Sequence, residues 1–127
     1  MTIMAKVDQF IKATPSQVYY ALTHAISLTE WMCDFATVAP HPGGRIYLWW
    51  HGDFYSAGEY ISLEENKSIT FKWHARPDPA PSQVIITLKE QDDGTLVTLV
   101  HTFPDGAYWT DNFDRFQKEW SLTLTNL

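Results

Sequence analysis

The sequence predicts an α+β fold: a curved antiparallel sheet of about seven strands wrapped around a long C-terminal helix, with two short helices after the first strand. Three observations carry this. From Phe35 to Phe103 apolar residues recur with a period of two, interrupted by turn residues. After Gly106 the period becomes 3.6. Ahead of both, Thr14-Pro15-Ser16 opens a helix directly behind an alternating segment.

Each element has its local reason. Lys6–Ile11 alternates around Val7 and Phe10 and reads as a strand. Thr14 supplies an N-cap hydroxyl and Pro15 the fixed φ of a first helical position, so a short helix runs to about Thr23 with Val18, Ala21 and Leu22 on one face. A second short helix over Leu28–Met32 brings in Trp31. Six strands are expected at Phe35–Ala39, Arg45–His51, Tyr55–Leu63, Lys67–His74, Gln83–Gln91 and Thr95–Phe103. Gly43-Gly44, Gly52-Asp53, Glu65-Asn66 and Asp92-Asp93-Gly94 punctuate them as hairpin turns, so the strands form an antiparallel meander. In the closing helix Trp109, Phe113, Phe116, Trp120, Leu124 and Leu127 fall within roughly an 80° arc, an apolar stripe that matches the sheet's uncovered face. Asp111 and Asp114 suit its N-terminal end, and Asp111–Arg115 and Asp114–Lys118 have favourable i, i+4 spacing.

Composition narrows the function classes. The 127 residues fit one domain spanning 1–127, and Arg76-Pro77-Asp78-Pro79-Ala80-Pro81 reads as a rigid exposed connection too short to divide it. Nine Lys+Arg against fifteen Asp+Glu give a net charge of −6, a sign that repels phosphate backbones, so no nucleic-acid partner is expected. There is no long apolar run and no signal-peptide core near the N-terminus, so no membrane partner is expected either and the expected location is cytoplasmic. The single cysteine, Cys33, excludes an intrachain disulfide; with no cation beside it in sequence it reads as a structural thiol. Asn66-Lys67-Ser68 matches a glycosylation sequon but reads as a turn. The unusual quantity is aromatic content, 15% with six Trp and seven Phe. Such side chains fill cores, line pockets and anchor interfaces.

Several segments have a familiar order and spacing. They are Ala13-Thr14-Pro15-Ser16-Gln17-Val18-Tyr19-Tyr20-Ala21-Leu22-Thr23, Leu28 to Trp31, Pro42-Gly43-Gly44-Arg45-Ile46, Gly58-Glu59-Tyr60, Ile69-Thr70-Phe71-Lys72-Trp73, and Gly94-Thr95-Leu96-Val97-Thr98-Leu99-Val100-His101. With them the chain resembles the helix-grip superfamily (Bet v 1-like, START-like, SRPBCC), and within it the group related to the activator of Hsp90 ATPase homologue 1-like domain. Glu119 precedes Trp120 where that group's helix usually carries a glycine. Its closing helix often runs past the equivalent of Leu127, so a short or trimmed helix is expected. The resemblance implies a cavity between sheet and helix. Its members include ligand carriers, sensors, cyclases and co-chaperone modules, so it does not select one activity.

Strand parity predicts which side chains face that cavity. Ile46, Leu48 and Trp50 share one face, as do Ile69, Phe71 and Trp73, and as do Val97, Leu99, His101 and Phe103. Adding Trp31 and the helix stripe gives the expected ligand lining: Trp31, Trp50, Phe71, Trp73, His101, Phe103, Trp109, Phe113, Phe116 and Trp120. The competing reading is that these rings pack the core solid. On an inward apolar face His101 is expected to be neutral, either bonded to a ligand or satisfied by a neighbouring hydroxyl or backbone group. His51 and His74 take the opposite parity to His101, so the three histidines do not suggest a metal site, and no cofactor is expected. Tyr47 and Trp49 fall on the outer face of their strand, which points to a homodimer or partner contact or to a covering loop.

Three functions follow as expectations. The first is binding of a small apolar or aromatic molecule in an aromatic-lined cavity. The second, by resemblance, is a protein-interaction module with a chaperone partner. The third is a cyclase- or hydrolase-type enzyme using His101, which needs a second polar group such as Tyr55, Tyr60 or Tyr108. No catalytic residue is assigned, and the balance leans away from an enzyme.

Overall fold

The computed structural model describes residues 3–52, 54–75 and 78–127. Its elements run β1 (Ile3–Ile11), α1 (Pro15–Thr23), α2 (Ala25–Trp31), β2 (Phe35–Val38), β3 (Arg45–Trp50), β4 (Phe54–Glu64), β5 (Ser68–Ala75), β6 (Ser82–Gln91), β7 (Gly94–Phe103) and α3 (Ala107–Leu124). The seven strands form a sheet of order β1-β7-β6-β5-β4-β3-β2. All pairings are antiparallel. This is the helix-grip α+β fold. Among the described residues no helix is long and apolar enough to cross a membrane.

The meander from β2 to β7 follows from its turns. Gly43 (φ 83°), Asn66 (φ 62°) and Asp92 (φ 53°) take the left-handed backbone that tight turns require. The sequon residue Asn66 is therefore a turn residue. Asp53 of the Gly52-Asp53 turn lies outside the described residues. β1 is three residues longer than its alternation suggests, because it pairs with β7 from Ile3↔Phe103 to Ile11↔Thr95. Sequence alternation cannot reveal a pairing with the strand farthest away in the chain.

The helical corner begins as its residues dictate. Thr14 Oγ1 accepts the Gln17 backbone N–H at 3.2 Å while the Thr14 N–H donates to Gln17 Oε1 at 2.9 Å, a reciprocal cap. α2 starts at Ala25 rather than near Leu28, since His24, in extended conformation, closes one helix and opens the next.

Curvature has a visible cause. The β4–β5 register shifts between Tyr60 and Ser62, a bulge that bends the sheet. A methyl group on Gly58 would overlap the Lys72 carbonyl oxygen on β5, so the close strand approach there needs a glycine.

The sheet's inner face and α3 enclose two adjoining cores. The larger includes Ile46, Leu48, Ile69, Phe71, Trp73, Val97, Leu99, Trp120 and Leu124. The smaller joins Ala5, Phe103, Trp109 and Phe116, with Phe113 packed against it. The helix stripe is thus shared between two clusters. Asp111 and Asp114 do not occupy the first turn of α3, because the helix already starts at Ala107. Arg115 does not pair with Asp111; its guanidinium lies over the Phe116 ring, 5.0 Å from the centroid. Among the described residues, Asp114 and Lys118 form no ion pair either.

Candidate functional site

One cleft of about 560 Å³ opens between α3 and the ends of β3, β4 and β5. Its walls are Trp50, Phe54, Trp73, Phe116 and Trp120, with Met32, Ala75, Leu122 and Thr123 between them and Asp78, Arg115 and Glu119 as its charged groups. Strand parity explains the convergence. Trp50 ends β3 and Phe54 starts β4 opposite it, both on the inner face, while Trp73 holds the same face of β5. From α3, Phe116 and Trp120, one turn apart, reach the same space. Trp73–Trp120 and Trp50–Trp73 meet edge to face with centroids 5.0 and 6.4 Å apart, and Trp50–Phe54 form a tilted pair at 5.1 Å.

The polar ends of Trp31, Trp50 and Trp120 are occupied. Trp50 Nε1 donates to the Met32 carbonyl at 2.7 Å, tying the helical corner to the sheet, and Trp31 Nε1 donates to the Ala21 carbonyl at 3.0 Å, tying α2 to α1. The apolar faces are left for packing or a ligand.

His101 sits behind this wall with no exposed surface. Trp120 Nε1–H donates to its Nδ1 at 2.8 Å, and its Nε2 lies 2.6 Å from Ser82 Oγ. An indole N–H can only donate, so Nδ1 carries no proton and Nε2 does. Nε2–H then donates to Ser82 Oγ, whose own hydroxyl donates to the Trp73 carbonyl at 3.2 Å. Burial pushes the imidazole down to about 3, so it is neutral near pH 7. Both ring nitrogens are committed within the protein. His101 is therefore a core residue linking β5, β6, β7 and α3, and it has no free lone pair for a base.

The ten residues expected to line the cavity separate into groups. Trp50, Trp73, Phe116 and Trp120 line the cleft. Trp31 and Phe71, again with Trp120, border a void of only about 30 Å³ in the larger core, too small for an organic ligand. Phe103, Trp109 and Phe113 belong to the smaller core and do not reach the cleft; Phe103 packs on Trp109 at 5.3 Å and on Phe116 at 4.9 Å. The physical reason is the length of the helix. Its stripe crosses both clusters, so one face is shared between packing and cleft.

Among the other candidates, Tyr55 is exposed on the outer face and Tyr60 is buried. Tyr108 donates from its hydroxyl to Asp78 Oδ1 at 2.7 Å. His51 is exposed beside Asp34, and His74 Nε2 lies 3.1 Å from the Asp78 carbonyl. Cys33 is buried, and burial pushes its thiol up to about 11.

Sequence reasoning missed Asp78. It lies in the Pro-rich stretch read as an exposed connection, of which Arg76 and Pro77 lie outside the described residues, yet it is only 8% exposed. No periodicity marks such a position. Glu119 was noticed only as a departure from a glycine, and it too lines the cleft.

An aromatic cleft between a curved sheet and its closing helix defines a helix-grip module of the START-like class. The chain belongs to the Activator of Hsp90 ATPase homolog 1-like protein family, whose model matches residues 12–127. No curated protein matches the sequence. Among solved structures, the Aha1 dimer from Colwellia psychrerythraea is 20% identical with a TM-score of 0.83, over 97% of this chain and 91% of that one. An HSP90 activator from Plasmodium falciparum is 22% identical with a TM-score of 0.76, over 99% and 92%. CalU16 from Micromonospora echinospora is 20% identical with a TM-score of 0.75, over 98% and 81%. These likenesses show a shared fold.

Proposed function

We propose that the protein binds a small apolar or aromatic molecule in the cleft between α3 and β3–β5. The observation that carries this reading is the cleft itself, about 560 Å³ with five aromatic rings on its walls. That volume lies within the roughly 300–1,000 Å³ typical of small-molecule sites, which are mostly apolar with a few placed polar groups. A turnover reading has less support, because His101 spends both nitrogens on Ser82 and Trp120.

Titration of neutral bicyclic aromatics such as 2-methylnaphthalene, followed by calorimetry and tryptophan fluorescence, tests it. Saturable one-site binding is expected. Phe54→Ala, which removes a half-exposed wall without touching the buried core, should weaken it about three- to tenfold. An absence of saturation, or a Kd unchanged by Phe54→Ala, overturns the reading.

A second reading rests on the opposite face of the sheet. Across β2, β3 and β4 the outward residues Phe35, Trp49 and Tyr55 stand in register. Phe35, Tyr47 and Tyr55 are exposed, and the Tyr47 and Tyr55 rings stack at 5.9 Å. Among the described residues no loop covers them, and such a row beside the β2 edge suits a protein contact. The Colwellia relative is an Aha1 dimer and the Plasmodium relative an HSP90 activator, so a second copy or an Hsp90-type chaperone is the partner proposed. Tyr47→Ser with Trp49→Ser should abolish dimerisation in sedimentation velocity or stimulation in a chaperone ATPase assay. If the wild-type chain shows neither, or the double variant retains both, this face is not a contact.

A further inference from the structure

Asp78 lines the cleft and is held by contacts that, among the described residues, leave one carboxylate oxygen unused. Its backbone N–H donates to the Ala75 carbonyl at 2.7 Å, and its own carbonyl lies 3.1 Å from His74 Nε2. Oδ1 accepts the Tyr108 hydroxyl at 2.7 Å. Oδ2 is buried and, among the described residues, has no hydrogen-bond partner. A buried acceptor without a donor is costly, and an ionised one more so. Desolvation accordingly raises the Asp78 pKa, opposed by the Tyr108 hydroxyl and by the charge of Arg115.

The surroundings define what would satisfy it. Asp78 lines the same cleft as the Trp50, Trp73 and Trp120 rings, so a molecule lying on those rings lies beside this residue. The other charged lining groups are Glu119 and Arg115. Two carboxylates against one guanidinium disfavour an anionic ligand, and aromatic walls tolerate a cation.

From this juxtaposition we infer that the cleft selects an aromatic molecule bearing a hydrogen-bond donor, a hydroxyl or an ammonium group, which donates to the Asp78 carboxylate while the apolar body lies against the tryptophan rings. The inference rests on the cleft being a ligand site and specifies the ligand's head group. Asp78 is its specificity residue: in its ionised form it supplies only acceptors, so it rewards O–H and N–H and rejects carboxylate.

A matched set of naphthalenes separates this inference from the broader one. Calorimetric titration at pH 7 would compare 2-naphthol, 2-naphthylmethylamine, 2-methylnaphthalene and 2-naphthoate on the wild-type chain. One or both donor-bearing compounds should bind at least about tenfold tighter than 2-methylnaphthalene, and 2-naphthoate should bind most weakly. Which donor wins distinguishes a hydroxyl ligand from an amine. In Asp78→Asn, whose amide can both donate and accept, the discrimination against 2-naphthoate should shrink. Equal affinities for all four compounds overturn the donor assignment while leaving the cleft as an aromatic site. Failure of every compound to bind overturns both.

Discussion

Trp120→Ala is expected to lower the unfolding free energy by about 3–5 kcal/mol, a large share of the roughly 5–15 kcal/mol available to a domain. Trp120 is 6% exposed, packs on Trp73 at 5.0 Å, and donates the hydrogen bond that fixes the His101 tautomer. Truncation removes the ring and strands Nδ1 at once. Trp120→Phe separates the two effects: it keeps most of the ring but has no N–H. We expect it to cost about 1–3 kcal/mol in urea denaturation, the usual cost of a buried acceptor left unpaired. A Phe variant within 0.5 kcal/mol of wild type, roughly the scatter for neutral substitutions, would show that the indole does not hold His101.

Acidification should unfold the protein through His101. Its pKa falls from 6.5 to about 3 on burial, so the folded state holds it neutral over that interval while the unfolded state protonates it. Above pH 6.5 both states are neutral and stability does not depend on this group. Below 6.5 each pH unit should reduce the folding equilibrium constant roughly tenfold, until the folded value is reached. Asp78 acts with the opposite sign. Its folded pKa is raised above 3.8, so it favours the folded state as pH falls through the folded value. Other carboxylates also enter at low pH, so the diagnostic interval is pH 6.5 to 5. His101→Gln can accept from Trp120 and donate toward Ser82 but does not titrate. Denaturation midpoints measured across that interval should fall for wild type and stay nearly level for the variant. Parallel slopes would mean that His101 titrates in the folded protein as it does in the unfolded one.

The strands and helices were legible because each rests on local physics. Thr14, Pro15 and Gln17 specify a helix start within four residues, and the reciprocal cap forms. Ile69, Phe71 and Trp73 turn inward because strand parity leaves no alternative once one face is buried. The inward, neutral state of His101 followed from the same parity. Its partners did not, since Ser82 and Trp120 are each nineteen residues away in sequence.

The cleft was only half legible, for a different reason. Ten inward residues looked equivalent, yet packing assigns Phe103, Trp109 and Phe113 to a solid second core and leaves Trp50, Trp73, Phe116 and Trp120 beside open space. Periodicity reports the direction of a side chain, not whether another side chain already fills the volume in front of it. Asp78 shows the limit most clearly. Between two prolines it has no periodic context, and its burial and its hydrogen bond from Tyr108, thirty residues away, arise only in the folded chain.

The sequence by itself determined the element order, the inner faces of the strands and the family, because turns, caps and alternation act between near neighbours. Tertiary structure decided that β1 closes on β7, that His101 is locked between Ser82 and Trp120, and that Asp78 lines the aromatic cleft with one buried oxygen that has no partner among the described residues. Those outcomes depend on which distant groups compete for the same space and the same hydrogen bonds, and that competition exists only once the chain has folded.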